Sequence, residues 1–101
     1  MVEEALRRRK VFENLDKYLE TLVKVVKELD SSAEVYLFGS VAEQKHLLTS
    51  DVDVLVLTKL RPEEVISKLW EHGIEDPFEI HVRKPKDVEA YGKRTKLVKL
   101  A

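Results

Sequence analysis

Apolar positions follow two rhythms along the chain. Val11, Phe12, Leu15, Tyr18, Leu19, Leu22, Val23, Val26 and Leu29 recur at steps of three and four. That spacing predicts one amphipathic helix, ended by Asp30-Ser31-Ser32. Its first turns, with Arg7-Arg8-Arg9-Lys10, are expected to be exposed. The rhythm then shortens. Glu34–Phe38 reads as a short strand stopped by Gly39, and residues 40–46 as a short helix or turn. Residues 51–57 are nearly continuous Val and Leu after the first aspartate, as in a strand buried on both faces. Pro62 suits the first position of a helix running to His72, with Gly73 as its stop. Val65, Ile66, Leu69 and Trp70 are its expected buried stripe. A third strand is predicted over 78–82, then a helix over 86–91 that continues towards Leu100 despite Gly92. The order α-β-α-β-α-β-α predicts one α/β domain over residues 1–101, a small mixed β-sheet flanked by helices.

Composition narrows the functional classes. A chain of 101 residues, 44% hydrophobic and 37% charged, has room for one core under a charged surface. Cysteine is absent, which excludes disulfides, thiolate metal sites and thiol nucleophiles. No apolar run approaches the roughly 18 residues of a membrane span, and the N-terminus lacks the apolar centre of a signal peptide. A cytoplasmic protein is expected. A single Asn, a single Gln and no Cys against many Lys, Glu and Arg suggest a thermophile. The net charge of −1 is unevenly spread. Residues 1–27 carry seven basic and five acidic side chains, residues 28–82 four and twelve, and residues 83–101 seven and two. The acidic middle suits a metal site, and the basic ends suit phosphates or an acidic partner, although solvated helix faces account for most of those cations.

The strand order has a consequence for the carboxylates. Residues 51–57, the following helix and residues 78–82 form a unit long enough for a parallel crossover. Asp51, Asp53 and Glu79 then lie near the N-terminal ends of neighbouring strands, at one edge of the sheet. If the first strand runs antiparallel to the second, Gly39 and Ser40 reach that same edge. Gly39 lets backbone approach a ligand without a Cβ, and Ser40 offers a hydroxyl and backbone N–H groups to phosphate. Two aspartates two apart share a face of a strand, and paired carboxylates are what Mg²⁺ beside phosphate oxygens requires. This is the layout of a nucleotide-handling site. Phosphoryl or nucleotidyl transfer needs positive charge and alignment, which two Mg²⁺ ions about 3.5–4 Å apart supply. Asp51 and Asp53 would bridge them. Glu79 would bind the second ion or take the proton of the attacking hydroxyl, and Ser40 would hold the terminal phosphates of an NTP.

Phe38-Gly39-Ser40, ten residues, then Asp51-Val52-Asp53 and Val54-Leu55-Val56 resembles the signature of the minimal nucleotidyltransferases of the DNA polymerase β superfamily. The likeness is carried mainly by residues 38–57, and the length and element order fit as well. It implies a polymerase β-like mixed sheet, Mg²⁺ held by Asp51 and Asp53, and Glu79 as third carboxylate. It also implies transfer of NMP, AMP by preference, from an NTP such as ATP to a hydroxyl. Many small members of that family pair with a helical HEPN-type protein, some as antitoxins that adenylylate a tyrosine on it. A partner of that kind is therefore expected, and a homodimer stays open. The family often has an arginine directly after Gly-Ser, a basic residue two positions on, and then a glycine. Here those positions hold Val41, Glu43 and Gln44, with Lys45 or His46 as substitutes. The alternative is a catalytically weak or inactive module that binds and neutralises a HEPN protein.

Other residues carry weaker signals. Asp76 is the nearest rival of Glu79. His81 shares the face of Glu79, as a substrate contact or a half-exposed strand residue, and His72 sits at a helix end facing its dipole. No His-x-x-x-His or Cys/His spacing points to zinc. Ser40 lacks the Gly-x-Ser-x-Gly context of a hydrolase nucleophile. Tyr91 and the Lys93-Arg94-Thr95-Lys96 tail read as a surface helix, with nucleic-acid contact as the less favoured use.

Overall fold

The computed structural model describes residues 2–44 and 51–101. Lys45, His46 and the far end of the 40–46 segment lie outside the described residues. The elements are α1 (Val2–Glu13), α2 (Leu15–Leu29), β1 (Glu34–Phe38), α3 (Gly39–Ala42), β2 (Val52–Leu57), α4 (Pro62–Glu71), β3 (Phe78–Arg83), α5 (Val88–Arg94) and β4 (Val98–Lys99). They form an α/β fold around a four-stranded mixed sheet in the order β3-β2-β1-β4. Strand β1 runs antiparallel to both β2 and β4, and β2 runs parallel to β3 through the α4 crossover. No helix among the described residues is long and apolar enough to cross a membrane.

One face of the sheet is built from every second residue. Val35 and Leu37 of β1, Val52, Val54 and Val56 of β2, and Phe78 and Val82 of β3 join Leu22, Val25 and Val26 of α2 and Val65 and Leu69 of α4 in one core. The alternation of a pleated strand puts Asp53, Leu55, Glu79 and His81 on the other face. Leu55 and Leu57 are buried there too, so β2 is covered on both sides.

Three sequence expectations need correction. The single helix over 11–29 is two helices broken at Asn14, whose side-chain amide donates to the carbonyl of Lys10 at 2.8 Å. An asparagine offers the backbone this local partner and so weakens the helix ladder. Trp70 is 60% exposed. At about 100° per residue, the buried pair Val65 and Leu69 defines the inward direction, and Trp70 points about 120° from it. The chain beyond Arg94 is not helical up to Leu100. Thr95 is extended, and Val98–Lys99 pairs with β1. Leu100 N–H donates to Val35 O at 2.8 Å, and Val35 N–H to Ala101 O at 3.0 Å. Val98 and Leu100 pack against the core with Lys99 exposed between them, a period of two that outweighs helix propensity where it can close a bare sheet edge.

The expected stop at Gly73 holds. With φ +80°, Gly73 donates its N–H to Trp70 O at 3.0 Å and the next residue, Ile74, donates to Leu69 O at 2.9 Å. This is a Schellman closure, and it drives Ile74 into the core.

The end of α2 is tied to the end of β2. The buried Thr58 donates its hydroxyl to Asp30 Oδ2 at 2.6 Å and accepts from Leu60 N–H at 3.2 Å. Asp30 Oδ1 also accepts the N–H and hydroxyl of Ser32 at 3.0 and 2.7 Å. The Thr58 hydroxyl, then the Ser32 groups, hold the Asp30 carboxyl below its ordinary pKa. The native state thus favours the ionised form. Its stabilisation is complete above the ordinary carboxylate range, near pH 4, and disappears as pH falls through the lowered native value. Thr58→Val should lower stability by roughly 1–3 kcal/mol in urea denaturation at pH 7. The gap between variant and wild type should narrow in the acid range below about pH 4.

Candidate active site

The register of the sheet brings the site together. Phe38, the last residue of β1, lies opposite Asp53, which lies opposite Glu79. The next row on the same face is Tyr36, Leu55 and His81. Asp53 and Glu79 therefore sit side by side at the N-terminal ends of two parallel strands, with the end of β1 beside them. Gly39 follows at once, in the left-handed region at φ +76°. A Cβ on Gly39 would collide with Asp53 Oδ2 and lie 3.2 Å from its Cγ. The glycine is required twice, for the turn out of the strand and for the approach to the carboxylate. Ser40 follows it in α3, partly exposed.

Asp53 is the electrostatic centre. Its side chain is 25% exposed. Burial first, then the charge of Glu79, push its carboxyl above the ordinary value; His81 opposes this and Asp51 adds to it. A carboxylate strained in this way gains most from a cation placed against it. His81 Nε2 lies 3.8 Å from Asp53 Oδ1 and 3.6 Å from Glu79 Oε1. Among the described residues, Asp53, Glu79 and His81 form a group whose potential ligand atoms all lie within 4.8 Å of one another. That donor set fits one divalent ion. The His81 ring is set by aromatic neighbours, Phe38 at 5.0 Å and Tyr91 of α5 at 6.2 Å, both edge-on.

Asp51 precedes β2 and is exposed. Its Oδ1 lies 3.5 Å from the guanidinium of Arg8 on α1, which also donates to Asp76 Oδ1 at 3.4 Å. Arg7 lies 3.8 Å from Asp76. Asp76, the rival of Glu79, thus belongs to an ion-pair group on α1. Arg8 departs from the exposure expected of its neighbours, its side chain being only 17% exposed. Val41, at the position where arginine is frequent in the resembled family, is buried in the core; Glu43 and Gln44 are exposed.

Sequence reasoning missed Arg8 and the packing of Tyr91. The four-residue basic run hid which arginine turns inward. A tyrosine in a basic tail shows nothing of the sheet face that it covers. Gly39→Ala should cost roughly 2 kcal/mol or more, through the positive φ and the displaced Asp53. Gly73→Ala shares the conformation, but a Cβ there meets nothing within 4 Å, and should cost only about 1 kcal/mol. Urea denaturation of the two variants checks the difference.

No curated protein matches the chain. It is similar to a crystal structure described as that of a "putative nucleotidyltransferase", with 26% identity, 82% of this chain and 97% of that chain covered, and a TM-score of 0.67. The family described as the nucleotidyltransferase domain matches residues 19–99, a stretch that holds Gly39, Ser40, Asp51, Asp53, Glu79 and His81 but begins after Arg8. The sheet order, the carboxylates at one edge and this match over most of the length agree, and the chain belongs to the nucleotidyltransferase domain family.

Proposed function

We propose that this protein is a metal-dependent nucleotidyltransferase that moves NMP, AMP by preference, from an NTP to a hydroxyl on a partner protein of the HEPN type. The observation that supports it best is Asp53 in register with Glu79 at one sheet edge, with Gly39 packed against its carboxylate. In the reaction the acceptor hydroxyl oxygen forms a bond to the α-phosphorus, and the bond to the pyrophosphate oxygen breaks. The hydroxyl proton goes to a carboxylate, for which the 57% exposed side chain of Glu79 is the accessible choice. A divalent ion, Mg²⁺ by family resemblance, supplies charge neutralisation at the phosphate oxygens when bound. Asp53 and Glu79 would hold it, with Asp51 joining from the mouth of β2. Ser40 contributes its hydroxyl to the phosphates. The partner is proposed from the habit of the resembled family, whose small members pair with such proteins. An antitoxin-like role goes with it.

The second reading is a binding module without turnover. The burial of Val41 and the absence of cations at residues 43 and 44 favour it, since those family positions then bring no charge to the phosphates. Calorimetry with Mg-ATP separates the two. Nucleotide binding supports the enzyme; tight partner binding that is indifferent to Asp51→Asn, with no nucleotide uptake, supports the module.

Asp51→Asn and Asp53→Asn should each lower transfer of label from ATP to the partner by about two orders of magnitude or more, the size of several kcal/mol of lost charge stabilisation. Asp53→Asn has a second expected outcome. The native fold disfavours the Asp53 charge, so removing it should leave the melting temperature equal to or above that of wild type near pH 7. Loss of transfer together with loss of the fold in the Asp53 variant would count against the assignment.

A further inference from the structure

His81 is not needed by the carboxylate chemistry above, yet its side chain is largely buried in the site. Its Nε2 is shielded from solvent and has no hydrogen-bond partner among the described residues, a costly state for a buried polar nitrogen. Asp53 Oδ1 at 3.8 Å and Glu79 Oε1 at 3.6 Å lie close to it but beyond hydrogen-bonding distance. The ring is flanked by aromatic side chains. Phe38 meets it edge-on at 5.0 Å, Tyr91 at 6.2 Å, and Phe38 and Tyr91 also meet each other at 5.7 Å. An orphaned nitrogen in a ring packed between two aromatic neighbours, with two carboxylates close by, is arranged for a shared cation.

We infer that His81 Nε2, with Asp53 and Glu79, forms a nitrogen–oxygen site that selects a first-row transition-metal ion over Mg²⁺. Imidazole is a good ligand for ions of the Mn²⁺-to-Zn²⁺ series, whereas Mg²⁺ favours oxygen donors and keeps its waters. The inference rests on the reading of Asp53 and Glu79 as metal ligands and adds the nitrogen that discriminates between metals.

The test is calorimetric titration of the full chain with Mn²⁺ and, separately, Mg²⁺, in wild type, His81→Phe and Asp53→Asn, with circular dichroism to confirm folding. Phenylalanine keeps the ring between Phe38 and Tyr91 and removes the nitrogen. His81→Phe should weaken Mn²⁺ binding about tenfold or more and Mg²⁺ binding by less than about twofold, since the imidazole serves the transition metal and not Mg²⁺. Unchanged Mn²⁺ affinity, or equal weakening of both ions, overturns the inference. If the phenylalanine variant does not fold, the wild type decides: Zn²⁺ should move the ¹⁵N resonance of His81 Nε2 while Mg²⁺ leaves it in place, and a resonance unmoved by Zn²⁺ overturns the inference. Asp53→Asn separates the two layers. If it binds both ions as wild type does, the carboxylate site itself is wrong.

Discussion

A carboxylate placed in the strand at the middle of a sheet has to be reconciled with the apolar burial around it. Strand β2 is covered on both faces, yet it carries Asp53 between Val52 and Val54, which are fully buried. The carboxyl is tolerated because the sheet ends there: it is one residue into the strand and opposite the last residue of β1. It also survives at a cost, visible in its raised pKa. Every other feature of the site is set relative to this one side chain. Gly39 yields room to it, Glu79 lies beside it in register, and His81 turns its nitrogen towards it.

Much of this was legible in the amino-acid sequence because period-two patterns fix faces and turns fix ends. The Val/Leu run after Asp51, the Gly39 stop, and Glu79 two residues before His81 suffice to place the carboxylates on one face once β2 and β3 are parallel. The features that escaped share a physical reason. The break at Asn14 hangs on one side-chain hydrogen bond, which a three-four repeat averages over. Trp70 lies on the shoulder of a helical stripe, where one residue of rotation separates core from solvent. The tail from Val98 onward takes its structure from a partner, the open edge of β1, and not from its own propensity.

The distribution of positive charge has a structural explanation that the sequence alone could not supply. The position after Gly39-Ser40 turns inward in α3, and Val41 fills a place in the core; a guanidinium there would have to be desolvated. A cation reaches the mouth of β2 from another direction, through Arg8 of α1 on Asp51. That helix begins before the stretch shared with the family, residues 19–99. The common domain thus carries the carboxylates, and the preceding helix carries an arginine that faces Asp51.

Gly39 joins two requirements that most proteins keep apart. In many enzymes a residue that supports the backbone and one that shapes the site can vary on separate schedules. Here a single missing methyl group serves both, since the Asp53 carboxylate occupies the volume that any side chain on Gly39 would take. Sequence drift at this position has no neutral step. A substitution that the turn could absorb would still evict the carboxylate, and a shift of the carboxylate would break its row with Glu79. The end of β1 is therefore a point where one constraint comes from the turn and the other from the carboxylate, and relief of either leaves the other in force.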